Sequence, residues 1–184
     1  MPDEYEFSEF KFNHTRLADA DLMRIADLEV IIFAFPLYVD GIPSHLLHCL
    51  YQMETYLDTH KVKEISVYAI VNCGFYEGHQ ASIALDLVKN WCSKANLEWV
   101  QGIGIGGGGF LSSLEGNSED QGPVKNLWDA LKKMAVNISE QHEIENIYTV
   151  PNFPKVVYTI GGNMGWRKQI KENGLRRKDL HIRK

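Results

Sequence analysis

An unbroken apolar run, Val30-Ile31-Ile32-Phe33-Ala34-Phe35, ends at Pro36. It is short for a helix and rich in β-branched and aromatic residues. That pattern fits a strand buried on both faces, as in the interior of a parallel sheet. Pro36 has no N–H with which to continue a ladder. A loop follows, Leu37-Tyr38-Val39-Asp40-Gly41-Ile42, and Pro43-Ser44 then opens a helical pattern. A loop between a parallel strand and its following helix lies at the strand's carboxyl end, where open α/β sheets place their ligands.

The rest of the chain repeats the alternation. Tyr5 to Phe12 mixes aromatics with polar residues in a slipping two-residue phase, which predicts an edge or bulged strand. Asp19 to Leu28 has helical spacing with acids in its first turn. Ser44 to Leu57 is a helix with Leu46, Leu47, Leu50, Met53 and Leu57 inward. Ile65 to Val71 is a second buried strand. His79 to Ala95 is the clearest helix, with Ala84, Leu87, Val88, Trp91, Cys92 and Ala95 in one stripe. Leu97 to Ile105 is a third strand, weakened by two glycines. Gly106 to Gly122 is a long polar, glycine-rich connection of the kind that is functional or mobile. Pro123 opens another helix. Tyr148 to Ile160 fits strand or helix, with helix favoured. Asn163 to Asn173 reads as a short final helix closed by Gly174. Strand and helix in strict alternation, with no linker, give one domain of 184 residues: a parallel sheet with helices on both faces.

Composition narrows the function. A 45% hydrophobic share supports a packed core, and a net charge of −5 argues against a nucleic-acid partner. No apolar run is long enough to cross a bilayer, and the first residues lack a secretory h-region. Cys49, Cys73 and Cys92 are odd in number and form no metal-type spacing, so reduced thiols in a cytoplasmic protein are expected. Arg176, Arg177, Lys178, Arg183 and Lys184 make a basic tail that reads as a solvated end or an anion-binding one.

Two loops share one design. Pro36-Leu37-Tyr38-Val39-Asp40 and Asn72-Cys73-Gly74-Phe75-Tyr76 each leave a buried strand and combine aromatic rings with exposed backbone. On adjacent strands they would form a cleft suited to a flat heteroaromatic ring, or would simply cap the sheet end. Asp40 and Glu77 stand beside it, solvated or accepting from a ring N–H. Gly102-Ile103-Gly104-Ile105-Gly106-Gly107 matches G-x-G-x-x-G in letters only. The dinucleotide fingerprint requires glycines turning directly into a helix, and here a polar loop intervenes. A strand whose glycines admit a close neighbour explains the run better.

Phe35-Pro36-Leu37-Tyr38-Val39-Asp40-Gly41-Ile42-Pro43, Asn72 to Gly78, the Gly102–Gly109 run, and Gly162 to Lys168 with its Trp166-Arg167-Lys168 signature resemble one known group. They resemble the flavodoxin-like NAD(P)H-dependent oxidoreductases, a family of FMN and quinone reductases. The resemblance implies a three-layer α/β/α fold with FMN at the carboxyl edge of an open parallel sheet. It places Pro36, Leu37, Tyr38 and Val39 along the flavin ring and Asn72, Cys73, Gly74, Phe75 and Tyr76 on its other side. NADH or NADPH would supply hydride, and a small acceptor such as a quinone, flavin or nitro compound would take the electrons. The alternatives are an electron carrier or a non-catalytic binding module on the same fold. Dimers are common in the family, so a second copy is a candidate partner. Tyr5–Phe12 matches the family's second strand. The first strand, the phosphate loop and the first helix are therefore expected to be absent, making the fold N-terminally incomplete and flavin binding weak.

Overall fold

The computed structural model describes residues 6–60, 63–111, 122–140, 144–176 and 179. Four parallel strands form one sheet in the order β1-β2-β3-β4: β1 Val30–Pro36, β2 Ser66–Asn72, β3 Glu98–Ile105 and β4 Ile147–Thr149. Six helices accompany it among the described residues: α1 Asp19–Ala26, α2 Ser44–Thr59, α3 Ser82–Ala95, the single turn α4 Gly108–Leu111, α5 Lys125–Glu140 and α6 Lys155–Glu172. The architecture is α/β, an open sheet of the flavodoxin-like kind with helices on both faces.

Side-chain alternation sorts the core into two halves. Ile31, Phe33 and Phe35 sit beside Val67, Ala69 and Val71 and face α2 and α3, where Leu46, Leu50, Met53, Leu85, Val88 and Trp91 complete the larger cluster. Tyr68, Val100, Ile103 and Ile105 face the other way, onto Ala130 and Met134 of α5. Gln101, buried at the centre, is satisfied at both ends: its Nε2 donates to Glu145 O and its Oε1 accepts from Asn137.

The glycines of β3 serve close packing. A Cβ on Gly104 would lie 2.4 Å from the carbonyl oxygen of Gly78, and one on Gly102 would lie 2.6 Å from a Leu85 methyl. β3 is buried along its length rather than weak.

The helix stripes shift by one residue. Leu47 and Leu87 are exposed, while Cys49 and Leu85 lie in the core in their place. The ambiguous stretch holds both structures: β4 ends at Thr149 and α6 starts at Lys155 behind Pro154, absorbing the expected final helix. Gly174 closes it at φ +71°.

Two expectations fail. Residues 6–13 join no strand of the sheet; Tyr5 lies outside the described residues. The segment is held on the helical side instead. Phe10 and Phe12 pack on the larger cluster, and the Arg24 guanidinium stacks over Phe10. Gln52 bridges Leu17 N–H and Thr15 O. Nor is β1 buried on both faces: Ile31, Phe33 and Phe35 are covered, but Ile32, Ala34 and Pro36 are exposed. Periodicity cannot separate the cases, because β1 carries apolar residues on its bare face too.

The connections carry one irregularity. α2 and α3 lie on one face while the chain steps from β1 to β2 to β3. α5 lies on the opposite face, yet the chain steps onward in the same direction to β4. That crossover therefore has the opposite hand to the first two, where a single hand is the strong norm. It runs through the long stretch after β3, and residues 112–121 of it lie outside those described.

Candidate functional site at the carboxyl edge of the sheet

Because β1, β2 and β3 are parallel neighbours, the loops leaving them meet on one edge. The first is tied to the second where Leu37 N–H donates to Asn72 O at 2.8 Å. It then reverses in a tight turn in which Tyr38 and Gly41 exchange both backbone hydrogen bonds, at 3.1 and 2.9 Å. The two central residues, Val39 and Asp40, have φ of +46° and +60°. Such turns favour Asn and Gly at these positions, and a β-branched residue at positive φ is a strained outlier. The turn leaves Val39 fully in solvent and Tyr38 58% exposed.

The second loop is fixed by its backbone. Cys73 N–H donates to Ile105 O, and its carbonyl accepts from Gly108 N–H at 2.8 Å. Its Sγ approaches the carbonyls of Phe75 and Glu77. Burial, the largest influence, holds the thiol above its ordinary range. Cys73 is thus the internal anchor of the loop. Phe75 contributes its carbonyl to Gly107 N–H and leaves its ring 54% exposed. Tyr76 is half-buried, its hydroxyl donating to Phe153 O at 2.5 Å.

Asn72 carries the one unpartnered buried side-chain oxygen among the described residues, its Oδ1. Gly108 crowds it, since a Cβ there would come within 1.9 Å of that oxygen. A buried acceptor without a donor carries a desolvation penalty of about 1–3 kcal/mol, and a ligand N–H or a water would relieve it.

A third set of residues, absent from the sequence expectations, completes the edge. The Tyr158 hydroxyl, on α6, donates to Gly74 O at 2.5 Å. The Tyr158 ring meets Tyr76 at 5.6 Å and Phe110 at 4.9 Å between centroids. Lys155 pairs with Glu77, and this contact keeps the Glu77 carboxyl below its ordinary range. Asp40, by contrast, is exposed. The only sequence signal for this third set was Pro154, suited to a helix start.

The glycine run does not cradle a phosphate. Gly106, Gly107 and Gly108 spend their N–H groups on Thr149, Phe75 and Cys73 carbonyls. A narrow crevice lies behind Gly107, between Phe110 and Pro151. A larger groove of about 520 Å³ lies elsewhere, along the β4 edge, lined by Asp86, Lys89, Trp99, Glu145 and Tyr148.

No protein-family model, curated protein or solved structure matches this chain. The carboxyl edge must be read on its own chemistry. It offers two exposed rings on adjacent loops, an orphaned acceptor at the mouth of the central strand, and an aromatic cluster behind. These features suit the ring of a flavin: flat, apolar on its faces and edged with N–H and C=O groups. The phosphate of FMN finds no matching group of free N–H donors in the glycine run.

Proposed function

We propose that this chain is a flavin-binding redox protein: an FMN-dependent NAD(P)H oxidoreductase acting on a small acceptor such as a quinone, flavin or nitro compound. The observation that carries the reading is the buried, unpartnered Asn72 Oδ1 at the end of β2, on the same sheet edge as the two loops that expose Tyr38 and Phe75. A flavin, when bound, supplies the hydride chemistry itself. The chain's share is to stack the ring, to accept a hydrogen bond at Asn72, and to hold the second loop through Tyr158. Three free, buried cysteines fit a reducing compartment, and the reading places the protein in the cytoplasm. No described helix is long and apolar enough to cross a membrane.

The ring and the phosphate make separable demands, which gives the test. Titrating the protein with riboflavin and with FMN, and following quenching of flavin fluorescence, is expected to give similar affinities in the micromolar range. Nanomolar FMN binding with riboflavin far weaker would show a phosphate site and contradict ring-only recognition. No quenching by either would remove the flavin reading.

A second reading is favoured by the spent N–H groups of Gly106 to Gly108: a binding module on the same fold that holds a flat aromatic ligand without redox chemistry. It differs in one measurement. Flavin would bind, but NADH and NADPH would not be oxidised with a quinone present.

A further inference from the structure

α6 is fastened at one end. Its first two turns are tied to the second loop of the carboxyl edge: the Tyr158 hydroxyl donates to Gly74 O, Lys155 pairs with Glu77, and Gly161 lies against the Phe110 ring. Beyond Gly161 the surroundings change. None of the eighteen residues of α6 is buried, and Met164 and Trp166 are 63% and 68% exposed. Among the described residues, the side-chain bonds of Asn163 and Lys168 return to Thr159 and Glu172 of α6 itself.

The glycines divide the helix at the same place. A Cβ on Gly161 would lie 2.9 Å from the Phe110 ring, so the contact with that ring calls for glycine. A Cβ on Gly162 or on Gly165 would meet nothing within 4 Å. Packing therefore calls for glycine at neither position, although each weakens a helix interior relative to alanine. What glycine does supply there is backbone freedom, and glycine steps are among the places where helices bend.

We propose that α6 is a jointed cover for the carboxyl edge. Residues 155–161 are its fixed base, 162–165 its joint, and 166–172 an arm that folds over a ring bound at the first two loops. The inference rests on the flavin reading for the ring itself. The base docks on Gly74 and Glu77, either side of the exposed Phe75, so the joint begins one turn after a residue that holds this loop. The arm is about 10 Å long at the helical rise per residue, enough to span a fused three-ring system. Trp166 gives it a flat apolar face, and a bound ring would give that face a surface to close on. A ligand shifts such an equilibrium only through contacts it makes with the closed form, so closure and affinity are linked.

Nitroxide labels on Leu47→Cys and Gln169→Cys read the arm against α2. Both positions are exposed, and the three native thiols are buried. Pulsed electron paramagnetic resonance of the free chain is expected to give a broader label-to-label distribution than the same pair in a Gly162→Ala/Gly165→Ala chain. Saturating riboflavin is expected to narrow the distribution and move its centre by on the order of 10 Å. In the double alanine chain the new methyls enter open space. Circular dichroism is expected to show more helix there, while riboflavin binds several-fold more weakly and the distance no longer moves. A helix that is merely exposed gives more helix with unchanged affinity, and that result would overturn the proposal. So would a free-chain distribution as narrow as that of the alanine chain, or one that riboflavin leaves in place while flavin fluorescence is quenched. No quenching at all removes the flavin reading. The joint is then decided by the free chains, where the broader distribution upholds it and equal widths overturn it.

Discussion

Asn72 is where stability and binding should part. Its Oδ1 is buried without a donor, so Asn72→Ala removes a penalty in the free protein. The expected outcome is a free protein as stable as the parent or up to about 1 kcal/mol more stable, with flavin affinity reduced. Urea melts and fluorescence titration of the same sample check both halves. A loss of stability would show that Asn72 is a structural residue only. Val39 poses a second case. At φ +46° its branched side chain is strained, and Val39→Asn places a residue suited to that turn. A gain of about 0.5–1.5 kcal/mol is expected by denaturant unfolding. The aromatic rings of both loops were legible in the sequence as types. The strain was not, because Val39 is a β-branched residue that does not mark such a turn, although Asp40 does. Cys73 was legible as a loop residue, but not as one whose N–H, C=O and thiol are all turned inward. With the pKa of Cys73 raised and that of Cys92 pushed up to about 12 by burial, both thiols stay protonated at neutral pH. Ellman's reagent is expected to find no fast thiol until the protein unfolds.

At the level of elements, the contact between β3 and the turn before α3 is a close backbone approach. Gly78 and Gly104 meet backbone to backbone, and a Cβ on Gly78 would fall against the Gly104 carbonyl. Gly104→Ala is expected to destabilise by about 1–3 kcal/mol or more, since neither backbone can give way. Thermal melts would show it. The glycine alternation pointed to such an approach, whereas reading it as a nucleotide fingerprint would have missed it. The start of α6 depends on the Lys155–Glu77 pair. The Glu77 pKa is lowered in the folded chain, so its contribution is present above the ordinary carboxylate range and fades as pH falls through the lowered native value. Below about pH 4, α6 is therefore expected to loosen before the sheet does. Hydrogen exchange at Val157 and Tyr158, compared with β2, would show that order. Equal protection loss in both would contradict it. The sequence left 148–160 open because Pro154 suits a helix start and the valines suit a strand. The chain uses both, in succession.

Across the whole molecule, the alternation of apolar strands with amphipathic helices was enough to give a parallel sheet layered by helices. It was not enough to tell a central strand from an edge strand. β1 is apolar on its covered and its bare face alike, and only the neighbours decide which is which. The N-terminal aromatics likewise looked like strand, yet Phe10 and Phe12 found apolar contacts and a cation on the helical side. The reach of α6 back to the site was not legible either, because Tyr158 and Gly74 lie far apart in the chain. What the assembled edge can bind is most directly read by backbone amide NMR shifts on adding riboflavin. Perturbations centred on Tyr38 to Gly41 and Asn72 to Tyr76, including the Asn72 side-chain amide, are expected. Shifts confined to Asp86, Lys89 and Trp99 in the β4 groove, or no shifts anywhere, would contradict a flavin site at the carboxyl edge.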